Sequence, residues 1–162
     1  MRILGIDPGT ATTGYAVIQR EGGNLVHICS GVIRTSAVSP MPDRLAAIHD
    51  RVLELISEHS PDVLATERLF FSNNVNTAFQ VGGAIGVVLL AAAKCGLAWS
   101  EYRPNEVKMA VVGYGAADKK QVQYMVARLL NLKAAPKPDD AADALAIAIC
   151  HANSLRMGAA AD

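Results

Sequence analysis

The stretch Arg2-Ile3-Leu4-Gly5-Ile6-Asp7-Pro8-Gly9-Thr10 decides the fold. Ile3, Leu4 and Ile6 form a short apolar run ended by a Pro-Gly break, the pattern of a buried strand. Asp7 closes that strand at its carboxyl end, the edge where α/β sheets usually bind ligands. An Asp before Pro-Gly also commonly opens a turn, so Asp7 by itself has two readings.

Outward from this strand, Gly14 to Gln19 and Leu25 to Ile33 are β-rich runs around Glu21-Gly22-Gly23-Asn24, a hairpin turn. Leu45, Ile48, Val52, Leu55 and Ile56 then recur at helical spacing, opposite Asp50, Arg51, Glu54 and Glu58. Val63 to Glu67 is the next strand, and a long helix spans roughly Asn76 to Cys95. A fifth strand over Ala98 to Arg103 precedes a short helix through Val111. Val122, Met125, Val126, Leu129 and Leu130 mark another amphipathic helix, and Asp139 or Asp140 opens the last one, through about Ser154. Three strands in meander, followed by alternating helices and strands, predict an α/β fold with a five-stranded mixed sheet flanked by α-helices. One domain over residues 1–156 is expected, with 157–162 a frayed tail.

If the first strand and the Val63–Glu67 strand lie parallel and adjacent, Asp7 and Glu67 meet at one sheet edge. Glu67 is hard to dismiss, because glutamate is depleted in strands and this one follows a wholly apolar stretch. Asp140 and Asp143 stand three residues apart and share one helix face. Taken alone, that pair reads as an N-cap and a first-turn acid favoured by the helix dipole. Together the four carboxylates repel one another unless cations bind them, which points to a divalent-metal site. Mg²⁺ prefers hard oxygen ligands and leaves positions open for water and phosphate. Two such ions about 4 Å apart can activate a water and stabilise the leaving oxygen of a phosphodiester. His27, His49, His59 and His151 are scattered and read as packing or surface residues.

Bulk properties narrow the class. Half of the 162 residues are hydrophobic and low-complexity runs are absent, which excludes a disordered chain. Cys29, Cys95 and Cys150 form no CxxC and fit a reducing cytoplasm better than a disulfide scaffold. The first residues enter a strand without a secretory pattern, and the apolar run Ala84 to Ala93 is too short for a bilayer. A soluble cytoplasmic protein is expected. The formal net charge is zero, yet Arg103, Lys108, Lys119, Lys120, Arg128, Lys133 and Lys137 outnumber the acids between Glu101 and Lys137. Ordinary solvated helix faces explain such lysines as well as a nucleic-acid surface does.

Three blocks carry a specific resemblance: Gly5-Ile6-Asp7-Pro8-Gly9, the strand ending in Glu67 followed by Phe70, and Asp140-Ala141-Ala142-Asp143-Ala144-Leu145-Ala146. Together they resemble the signature blocks of the RuvC family of bacterial Holliday junction resolvases, and the similarity runs from Met1 to about Ser154. The resemblance implies a ribonuclease-H-like fold, a homodimer, and Mg²⁺- or Mn²⁺-dependent cutting of opposed strands at a four-way DNA junction. It implies metal-ligand roles, two ions per site, for Asp7, Glu67, Asp140 and Asp143, with Asp139 passed over by the Asp-Ala-Ala-Asp spacing. Lys108 and Lys119 match lysines that serve DNA binding and catalysis, Lys120 is an extra neighbouring base, and Phe70 matches a junction-stacking aromatic. The RuvA-RuvB branch-migration complex is a further implied partner. Two other readings stand beside it: a metal–phosphate ATPase of the actin-like kind, which shares Asp-x-Gly-Thr, and a non-catalytic junction-binding protein.

Overall fold

Alternation along β1 (Arg2–Asp7) sorts its side chains between two cores. Ile3 joins one, Leu4 and Ile6 the other, and Gly5 and Asp7 share the side of Ile3. The computed structural model describes residues 1–68 and 75–158. After β1 come β2 (Thr12–Glu21), β3 (Asn24–Arg34), α1 (Met41–His59), β4 (Val63–Glu67), α2 (Val75–Lys94), β5 (Ala98–Tyr102), α3 (Pro104–Val112), α4 (Lys119–Leu129) and α5 (Asp139–Gly158). The strands form one mixed sheet in the order β3-β2-β1-β4-β5. β1 is antiparallel to β2 and parallel to β4, and β5 extends the parallel half.

α3, α4 and α5 cover one face of the sheet over Ile3, Ala16, Ile18, Val63 and Ala65. α1 and α2 cover the other face over Leu4, Ile6, Val17 and Leu64. Fully burying an Ile or Leu contributes roughly 1.5–3 kcal/mol, and both cores contain several.

α5 packs directly on β1 and β2, and small residues meet on both sides of the contact. Ala141, Ala142, Ala144, Ala146 and Ala148 are buried along it. A Cβ at Gly5 would collide with the Ala144 carbonyl, and one at Gly14 with the Asp140 carbonyl. Backbone therefore rests on backbone, which fixes the helix relative to the strand that carries Asp7.

Three sequence expectations shift. Asp140 does not cap α5, since the helix begins at Asp139 and Asp140 falls inside its first turn. The last helix also runs four residues beyond Ser154, to Gly158. In α2, the stretch Thr77–Lys94 is long and apolar enough to cross a membrane by length and composition, more than the Ala84–Ala93 run suggests. One side of it, Ala84, Val88, Ala91 and Ala92, is buried against the sheet and α1. The opposite side leaves Phe79 and Leu90 exposed.

Candidate active site

The pairing register brings the first two acids together. Ile6 pairs with Thr66 in parallel, so Asp7 and Glu67 are the next residues on neighbouring strands. Alternation turns both toward α5, as it does Gly5 and Ala65. A cavity of about 290 Å³ forms there, and Asp7, Glu67, Lys108, Lys119 and Asp143 are among its lining residues.

Lys119 enters from the first turn of α4. The helix start is fixed by a reciprocal cap: Gln121 N donates to Asp118 Oδ1 at 2.8 Å, and Asp118 N donates to Gln121 Oε1 at 2.9 Å. Lysine in a first helical turn faces the positive end of the dipole, so this position costs helix stability. Its return is electrostatic: the Lys119 ammonium donates to Asp143 Oδ2 at 3.1 Å and lies 3.5 Å from Asp139 Oδ2. Asp139 is held in turn by Gln123 Nε2 at 3.0 Å. This role of Asp139 was not legible from the acidic block, although Lys119 and Gln123 at four-residue spacing show which face of α4 meets it.

The acids are crowded. Burial, then the charges of Asp143, Glu67 and Asp140, push the Asp7 carboxyl up to about 7, against a smaller lowering by Lys119. Burial and Asp143 also raise Glu67, with Lys108 opposing. Burial raises Asp143, while its hydrogen bond to Lys119 pulls it back. For Lys119 burial works downward, but the hydrogen bond and charge of Asp143, then Asp139, carry the ammonium above its usual range.

Asp140 does not line the cavity. It sits one turn earlier on α5 and acts on Asp7 and Asp143 through its charge. Lys120 points elsewhere, into a groove on the outer side of α4. Phe70 lies outside the described residues. Among the described residues no three acidic, histidine or cysteine side chains already stand at metal-cage spacing. The donor chemistry nevertheless fits a hard divalent cation: oxygen ligands only, mutually repelling, with more negative charge than the two lysines balance. His151, by contrast, is buried and accepts or donates at 2.7 Å with the Tyr102 hydroxyl, a packing role.

A mixed sheet in this order, with acids at the carboxyl ends of β1 and β4 and on the helix crossing them, has the ribonuclease-H-like architecture. The family described as Crossover junction endodeoxyribonuclease RuvC matches residues 3–151. The Crossover junction endodeoxyribonuclease RuvC of Desulfitobacterium hafniense is 54% identical over 164 residues, covering 99% of each chain. The Thermus thermophilus RuvC structure superposes with a TM-score of 0.91 at 41% identity, covering 98% of this chain and 97% of that one. Thermus thermophilus RuvC in complex with a Holliday junction substrate gives 0.94 at the same identity, covering 98% and 96%. The chain belongs to the RuvC family of crossover junction endodeoxyribonucleases. The actin-like ATPase reading of the Asp-x-Gly-Thr block finds no support in these matches.

Proposed function

We propose that this protein is a structure-selective endonuclease that resolves four-way DNA junctions by paired nicks in opposed strands during recombination and repair. The observation that carries it is the meeting of Asp7, Glu67 and Asp143 with Lys108 and Lys119 in one cavity of a RuvC-family chain. Asp7, Glu67 and Asp143, with Asp140 from the preceding turn of α5, would hold Mg²⁺, two ions per site, and Mn²⁺ could substitute. Bound there, the cations would supply an activated water and a counter-charge for the leaving 3′-oxygen. The residues of the chain do the rest. Lys119 and Lys108 orient the scissile phosphate, and Lys119 offsets charge as it develops. Lys120 holds a neighbouring phosphate. Phe70 stacks on an unpaired base at the junction centre, worth about 1–3 kcal/mol.

A two-fold dimer suits a two-fold substrate, because it sets equivalent sites on opposed strands. The outer side of α2 is the proposed contact. Phe79, Gly82, Gly86 and Leu90 share one helix face, nothing lies within 4 Å of a Cβ built at either glycine, and Phe79 is 80% exposed. The setting is the cytoplasm, where the RuvA-RuvB complex is the partner expected of the family.

The test is cleavage of a synthetic four-way junction beside a linear duplex of the same sequence. With Mg²⁺, paired nicks appear in the junction and the duplex stays largely intact. No nicks with Mg²⁺ or Mn²⁺ across varied junction cores would overturn the proposal.

A further inference from the structure

α4 begins at the active site and carries basic residues away from it. Lys119 reaches Asp143, whereas Lys120, Tyr124 and Arg128 follow at four-residue intervals on the exposed side. Lys133, just beyond the helix, joins them in lining a groove of about 380 Å³. At 1.5 Å per residue, the stripe from Lys120 to Arg128 covers about 12 Å.

Charge is segregated here as nowhere else in the chain. From Lys119 to Pro138 there are five basic residues and no acidic one, in a protein whose formal net charge is zero. α1 instead interleaves signs and pairs them, as Arg51 does with Glu54 at 2.8 Å. Among the described residues no carboxylate forms an ion pair with Lys120, Arg128 or Lys133. A helix face that needed only to be wet would gain from mixed charges; this one holds uncompensated positive charge in a row.

We propose that the outer stripe of α4 binds the phosphate backbone of one duplex arm of the junction, as a track separate from the catalytic cavity. The inference rests on the junction-nuclease reading and extends it to a second contact. A duplex strand carries one phosphate per about 3.4 Å of axial rise but winds about the axis, so a stripe of about 12 Å along the backbone faces roughly two or three phosphates. Arg128 can take phosphate oxygens bidentately, the lysines act as point charges, and the Tyr124 hydroxyl can donate to a phosphate oxygen between them. Such contacts orient an arm without reading its sequence. Uncompensated like charges repeated along the row match a periodic polyanion, whose charges also repeat at short intervals.

The experiment measures junction binding by fluorescence anisotropy over a salt series, for the wild type and for Arg128→Gln/Lys133→Gln. The expected result is weaker binding, on the order of tenfold, and a salt slope reduced by about 1.8, the value for two phosphate contacts. Methylphosphonate linkages placed along each arm test the same contact with unaltered protein. On one arm they weaken wild-type binding, and the loss is not additive with that of the double variant. Wild type that binds and nicks the junction, beside a folded variant of equal affinity and slope, overturns the arm track and leaves the nuclease reading standing. So does a methylphosphonate scan with no effect on any arm. Wild type that neither binds nor nicks removes both.

Discussion

The Lys119 ammonium donates to Asp143 Oδ2 at 3.1 Å, tying the first turn of α4 to the second turn of α5. Both side chains are partly exposed, so the pair adds little to stability, of the order of 0–1 kcal/mol. Lys119→Gln should therefore shift the melting temperature only slightly. Single-turnover nicking should fall about 10²-fold, the usual cost of losing one transition-state donor. The salt slope of junction binding should drop by about 0.9 if the ammonium meets a phosphate. Unchanged nicking would leave Lys119 a structural counter-ion.

The acids give stability a pH dependence of defined sign. The native Asp7 carboxyl titrates near 7, above its ordinary value of 3.8, so the folded state holds that proton longer. Its contribution is complete below the ordinary carboxylate range and is lost as pH rises through about 7. Glu67 and Asp143 shift in the same direction. Without divalent cations, calorimetry should find stability falling between about pH 4 and pH 7, by a few kcal/mol. Asp7→Asn should flatten that slope, retain junction binding and abolish nicking. Mg²⁺ should restore stability to the wild type at pH 8 but much less to the variant. A wild-type profile flat over this range would contradict the crowding of charge at Asp7.

Gly14→Ala separates geometry from stability. The added methyl meets the Asp140 carbonyl, so the start of α5 must move. Overpacking costs typically 1–3 kcal/mol, which a folded domain can survive. A displacement of about 1 Å at the catalytic acids is worth about 10²-fold in rate. Nicking should collapse while circular dichroism and junction binding persist. Activity within a factor of a few of wild type would mean that α5 tolerates the shift.

Phe79→Glu/Leu90→Glu tests the α2 face. Both residues are exposed on a helix whose other side is buried. Sedimentation should change from dimer to monomer, and paired nicks should give way to single ones. A dimer that persists would move the interface elsewhere.

Much of the fold was legible because its strands are short apolar runs between glycine and proline breaks. Asp7 and Glu67 could be paired in advance, since strand ends and a parallel neighbour suffice to bring them together. Asp140 was less legible: capping and ligation make the same demand on residue type, and the start of α5 at Asp139 bears on the capping role alone. The partnership of Lys119 with Asp139 and Asp143 depends on how α4 lies across α5. Gly5 and Gly14 read as ordinary strand residues, since a contact with a helix more than a hundred residues away leaves no local signal.

The two cores have a consequence for the design of the whole molecule. Ile3 and Ala65 support the face with the acids, while Leu4 and Leu64, their immediate neighbours in sequence, support α1 and α2. The sheet is thus a bulkhead. The α2 face proposed for subunit contact and the acid cluster proposed for DNA chemistry lie in opposite compartments, with the sheet as their shared wall. Substitutions on the outer side of α2 and substitutions around the acids fall on separate cores, so the proposed pairing of subunits can be re-engineered without entering the core that holds the scissors.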